Sequence, residues 1–368
     1  MNLLSKERFR IGEGHPTAMR NANNIFQDGT TPMWRDVDGK LWAMSGHSHM
    51  GEIAMLCGET VDTLQKCYPI QTTFTVGKAG EAFDGVRYPD GVLPRGSIWP
   101  FGLYICPATH RFFCFFHNEA GWNGHGTGYD AWGLCDTPKL DTDFRHVGLM
   151  HSDDEGRTWV FDRWVLTGEQ VCFTERYNPN GDGAKGQPFE TISLGSGDFS
   201  LFADEQYLYL FYTIVRVDLQ AECWDGCDVY LARTRRREDG VMGDFVKYYD
   251  GAFCEAGNGG KETPLVRNSW HPRVVFSRSQ GQYLMSSCPI RARVFSGVVE
   301  DVVQVRTATD LLHWSDPICL EKDGQPFGNH YCAFAPKGHL SPFEIDDEFF
   351  ILLNHNGTDV TAWDATLE

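Results

Sequence analysis

The sequence predicts an all-β fold: a single five-bladed β-propeller spanning residues 1–368, its ring closed by the N-terminal segment. Three observations predict it. Helical patterns are nearly absent, and runs rich in Tyr, Phe, Val and Trp alternate with Gly, Asp and Asn turns throughout. A short apolar strand pair recurs along the chain at a spacing of roughly 70 residues, enough for one four-stranded sheet and its loops. The last repeat is short of an outer strand, which the residues before Asn24 would supply, removing an exposed sheet edge.

The elements follow in order. Blades are expected to start near residues 28, 95, 195, 268 and 327. Their innermost strands read at 31–34, 96–103, 197–202, 270–276 and 329–334, and their second strands at 41–45, 112–116, 207–212, 283–287 and 349–354. Turn chemistry separates the two strands of a pair, as at residues 36–40, 204–206, 277–281 and 344–348. Outer strands are read at 147–150, 228–233 and 302–307. Two long insertions, 118–145 and 174–191, interrupt the rhythm, and loops of that length are usually functional or disordered.

Composition narrows the partners. The chain is 42% hydrophobic and carries a formal net charge of −18, so the basic footprint that nucleic acid demands is missing. The basic run at 233–237 is broken by Thr234 and reads as a solvated hairpin end. No stretch is long and apolar enough to span a bilayer, so no membrane partner is expected. The N-terminus has no apolar signal core, which points to the cytoplasm unless a signal peptide has been removed. Of the 12 cysteines, Cys57, Cys106, Cys114, Cys288 and Cys332 fall inside expected strands and read as buried reduced thiols. Cys223 and Cys227 lack the second cysteine pair that a zinc site would need. Oligomeric state is left open.

Residues 152–159, Ser-Asp-Asp-Glu-Gly-Arg-Thr-Trp, match S-x-D-x-G-x-T-W, the Asp-box of sialidase-type propellers, which is a folding device of β-hairpins. Residues 307–314 are a degenerate relative. The Gly-Ser-Gly-Asp-Phe-Ser-Leu-Phe run at 195–202, followed by Tyr-Leu-Tyr-Leu-Phe-Tyr at 207–212, resembles a blade of the five-bladed propeller glycoside hydrolases. That superfamily includes arabinanases, xylosidases, fructan hydrolases and neoagarooligosaccharide hydrolases. The resemblance implies that Asp198, at the strand start, lines the substrate pocket as a catalytic or pKa-setting group. It also implies an aspartate at the start of the first blade, for which Asp28 is the nearest match. The arginine triad and tyrosine nucleophile of a true sialidase are not found.

Glycoside hydrolysis needs two carboxyl groups facing the scissile bond. Glu119, which ends a second strand, is the natural partner of Asp198, and desolvation by Trp122 would suit it to general-acid work. Histidines gather at strand ends: His47, His117 and His355 follow second strands, and His271 and His330 stand at first-strand starts. His117 joins the catalytic candidates, since an imidazole titrates near neutrality. His47, His271, His330 and His355 are read as substrate contacts, with Trp99 and Trp122 as stacking platforms and Arg216 for an anionic substituent. The histidines would alternatively hold a divalent metal as neutral imidazoles, although no cofactor is required. The favoured reading is a glycoside hydrolase acting on an oligosaccharide or polysaccharide-derived substrate. Its rivals are a metal-dependent polysaccharide lyase with a His-lined site and a non-catalytic carbohydrate-binding propeller.

Overall fold

The computed structural model describes residues 5–20, 29–48, 51–74, 94, 97–119, 145–168, 191–218, 223–289, 302–329, 331–355 and 359–368. Among them the helical turns are two 3-10 turns, Lys6–Arg8 and Val61–Thr63; every other regular element is a β-strand. No helix among the described residues is long and apolar enough to cross a membrane.

Antiparallel meanders follow one another along the chain. Met33–Arg35, Leu41–Ser45, Ala54–Gly58 and Gln65–Pro69 pair in sequence order. So do Ser97–Ile105, Phe112–Glu119, Arg145–Ser152 and Thr158–Leu166. Thr191–Ala203, Tyr207–Asp218, Cys223–Arg235 and Val246–Tyr249 form the next, and Ser269–Ser277, Gln282–Pro289, Gln304–Ala308 and Ile318–Cys319 the one after. Neighbouring meanders touch through short parallel pairings, among them Gly195 with Arg145 and residues 71–72 with 158–159.

In the last sheet the order is Cys332–Pro336, Glu348–His355, Asp359–Leu367 and then Phe9–Arg20, with Phe9 opposite Leu367. The first strand of the chain therefore completes the sheet built by its last three. Its hold is mainly apolar. Phe9 packs with Phe334, Phe349 and Leu367, and Met19 with Met33 and Leu352. The buried Thr17 hydroxyl donates to the Val360 carbonyl at 2.7 Å. The Arg10–Glu368 ion pair is exposed at both ends and adds little.

Sheets pack on both faces, which is why several strands read as unbroken apolar runs and not as alternations. Ser97–Ile105 and Phe112–Glu119 are buried at every position. Adjacent residues on one strand serve different cores: Val274 belongs to the cluster that holds Phe211 and Met285, while Val275 belongs to the one that holds Phe334 and Phe349.

The Ser152–Trp159 turn closes on itself. Asp154 Oδ1 accepts from the Thr158 and Arg157 backbone N–H groups at 2.8 and 3.1 Å, and the Ser152 hydroxyl oxygen accepts from the Gly156 N–H at 2.9 Å. The fully buried Trp159 indole N–H donates to the Gly156 carbonyl at 2.8 Å. One cysteine departs from expectation. Cys57 is disulfide-bonded to Cys67, with Cα atoms 6.3 Å apart, because both lie on adjacent antiparallel strands. Cys106, Cys114, Cys288 and Cys332 are buried free thiols. Of the two insertions, residues 120–144 and 174–190 lie outside the described residues.

Candidate active site

Asp198 and His271 occupy similar places on neighbouring sheets. Each sits in a register irregularity of an inner strand, between Gly197 and Ser200 and between Trp270 and Arg273 respectively. Each has a left-handed backbone, with φ of 41° and 50°. A non-glycine residue held there costs about 1–3 kcal/mol, and such strain is characteristic of functional sites. The bulge re-aims the side chain from the sheet face toward the strand end.

Gly197 is what lets His117 approach. A Cβ on Gly197 would lie 2.6 Å from His117 Cε1 and Nδ1. With that space open, the Asp198 backbone N–H donates to His117 Nδ1 at 2.8 Å. Nδ1 is thus an acceptor, so the ring proton resides on Nε2, which donates to Glu119 Oε1 at 3.0 Å. Both imidazole nitrogens are engaged. His117 is therefore a link between the two carboxyl residues, with no nitrogen left for a metal or a substrate proton.

Arg145 joins the same pair from the next strand. It lies directly opposite Glu119 in the antiparallel ladder and opposite Gly195 in the parallel one. Its Nη1 donates to Asp198 Oδ2 at 2.9 Å, and its Nε stands 3.2 Å from Glu119 Oε1. The Trp270 indole N–H also donates to Asp198 Oδ2, at 2.8 Å. Asp198, Glu119, Arg145 and His117 are all buried. Burial by itself would push the Asp198 carboxyl up, but the Arg145 guanidinium and the Trp270 N–H hold it well below the usual carboxylate range. His146, next to Arg145, is also buried, and burial, with Lys247 and His117 nearby, pushes its imidazole well below its ordinary value.

The other sequence candidates fall in several places. His47 and Trp99 stack at 5.2 Å with an interplanar angle of 13°, and Trp99 meets the His117 ring edge-on at 5.4 Å. Trp99 is 5% exposed, so it props two imidazoles and presents little open face. His271 packs between Trp270, at 4.2 Å, and Tyr331, at 4.6 Å. Arg216 donates to the buried Asp228 at 2.6 Å, which Arg267 also approaches at 3.6 Å. His355 lies opposite Asp359 at a strand end, and its side chain is outside the described residues. Asp28, Trp122 and His330 are likewise outside them.

Two members of the cluster were not assigned these roles from sequence. Trp270 opens the expected innermost strand at 270–276, and here its N–H serves Asp198. Arg145 stands two residues before the apolar stretch that marks this strand in the sequence, and the strand begins at Arg145. Extending that strand back would have set an arginine opposite Glu119, a favourable cross-strand charge pair. Among the described residues no group of three His, Cys, Asp or Glu side chains is arranged to hold a metal ion.

No protein-family model matches this sequence, and no curated protein sequence matches it. Solved structures do. The chain is similar to Zg3597, a family 117 glycoside hydrolase produced by the marine bacterium Zobellia galactanivorans, at TM-score 0.51 and 10% identity, over 100% of this chain and 92% of that one. It is also similar to an alpha-L-arabinofuranosidase from Lactobacillus brevis, at TM-score 0.45 and 13% identity, over 94% and 92% of the two chains. At 10% identity the first speaks for the path of the chain, and the fold is of the all-β kind found in that glycoside hydrolase.

Proposed function

We propose that this protein is a glycoside hydrolase whose meanders are five blades of a propeller closed by the Phe9–Arg20 strand. Its substrate is an oligosaccharide or a fragment of a polysaccharide, bound where the strand ends carrying Asp198 and Glu119 converge. One observation carries the reading: two buried carboxyl side chains from neighbouring sheets are gathered on one guanidinium, Arg145. The shared fold with Zg3597 supports it.

The roles follow from the contacts. Asp198 stays ionised, which suits a fixed negative charge beside a developing oxocarbenium ion and does not suit a proton donor. Glu119 is the candidate proton carrier. Its Oε1 is fixed by His117 and Arg145, while its Oε2 makes no hydrogen bond among the described residues. His117 and Arg145 are positioning residues that hold the two carboxyl groups in one frame.

The test is turnover on a panel of neutral and anionic oligosaccharides, with products weighed by mass spectrometry. Hydrolysis adds one water per cleaved bond. Asp198→Asn and Glu119→Gln are each expected to lower turnover about 10²–10⁴-fold while the chain still melts cooperatively. Unsaturated products without added water would replace this reading with a lyase. Glycan binding with no turnover by the unaltered protein would replace it with a binding module.

A further inference from the structure

Three arginines are buried among the described residues: Arg145, Arg273 and Arg306. Arg145 is neutralised by Asp198 and Glu119. Arg306 donates to the hydroxyls of Ser269 and Ser287 at 2.9 and 3.3 Å and to Gln304 Oε1 at 3.3 Å. Arg273 is different. It is 1% exposed, and neither its Nε nor its Nη2 has a hydrogen-bond partner. No carboxylate among the described residues offsets its charge, and burial alone pulls its guanidinium down to about 10. It therefore remains protonated at neutral pH.

Its location is set by the register. Arg273 lies directly opposite Ser286, whose hydroxyl donates to the Cys332 carbonyl at 3.4 Å. Val275 and Leu284, the next pair on that face, pack with Phe334 and Phe349. The guanidinium thus stands at the end of an apolar cluster, between the Ser269–Ser277 sheet and the sheet that carries Cys332–Pro336. The two nitrogens without partners, Nε and Nη2, form the side-on edge of the guanidinium. That edge presents two parallel N–H groups and is the one that takes an anion in fork geometry.

An ionised group in a low-dielectric interior is strongly disfavoured unless an opposite charge accompanies it. We propose that Arg273 binds a small inorganic anion of halide size, chloride in ordinary solution, on its Nε–Nη2 edge between these two sheets. Water would satisfy the N–H groups but supply no charge. A sugar carboxylate or sulfate is too large to reach a side chain that is 1% exposed. The inference stands apart from the glycosidase reading, because it concerns a structural ion between sheets.

The experiment is a thermal melt of the full chain in sodium chloride, sodium bromide and sodium gluconate at one ionic strength. Chloride and bromide are expected to raise Tm saturably by roughly 2 °C or more over gluconate. Arg273→Met is expected to erase the difference between halide and gluconate. Crystals grown in bromide are expected to show an anomalous peak in contact with Nε and Nη2. Identical melts of the unaltered protein in chloride and gluconate would overturn the proposal, as would bromide crystals with only water at Arg273. If Arg273→Met fails to fold, the halide series and the bromide peak on the unaltered chain decide the matter by themselves.

Discussion

At the scale of single residues, the cluster is an exercise in keeping two carboxyl groups together out of water. Arg145 is the group that allows it. Removing one partner from a buried ion pair typically costs about 3–5 kcal/mol, because a charge is left uncompensated. Arg145→Gln is therefore expected to lower the unfolding free energy by about that amount, measured by urea titration, and an unchanged midpoint would show that the pairing is incidental. Asp198 gives a pH signature. Its folded pKa lies below its ordinary value, so its stabilising contribution is complete above that ordinary value, about 3.9, and is lost as pH falls from there toward the folded pKa. Stability of the unaltered protein should fall between about pH 5 and pH 2 more steeply than that of Asp198→Asn. Equal slopes in the two proteins would remove Asp198 from the acid limb. In the sequence Asp198 draws notice by opening an apolar run in a blade-like motif and Glu119 by closing one, and the structure brings both onto Arg145. Arg145 itself draws none, because a charged residue at the mouth of a long insertion looks like loop.

At the scale of elements, runs of Phe, Tyr, Leu and Val announced most of the strands, and the alternation that normally fixes orientation was missing because both faces are buried. The bulges were not announced. A bulge is an extra residue in one strand of a pair, visible only against its partner's register, which a single run of letters does not contain. Yet the bulge at residues 197–200 turns Asp198 toward His117. Gly197→Ala tests this directly, since the new methyl would meet the His117 ring at 2.6 Å. Overpacking of this kind costs typically about 1–3 kcal/mol. The expected outcome is a lower Tm together with a disproportionate loss of turnover, and a loss of Tm with full turnover would free His117 from its positioning role. The Cys57–Cys67 pair went unread for the same reason as the bulges. Each cysteine looks like a small hydrophobe until the two strands are set side by side.

For the whole molecule, the all-β class and the spacing of the meanders followed from a repeat that only the full length reveals. Phe9–Arg20 pairs with Asp359–Leu367, the last strand of the chain. Removing residues 1–20 would strip Phe9 and Met19 from two separate apolar clusters and leave the Asp359–Leu367 edge unpaired. The truncated chain is expected to lose its cooperative melt near the full-length Tm and to aggregate, as seen by light scattering. A monomeric truncation with an unchanged Tm would show that the strand is ornamental. The same pairing carries a consequence for synthesis. A ribosome emits Phe9 long before Leu367, and at 5–20 residues per second the interval between them is roughly 20–70 s. For that time the early segment has no strand to dock on, and the sheet it shares with residues 332–367 waits for its partners. Pairing of the first strand is thus postponed to the end of synthesis, because its partner is the last strand to be made.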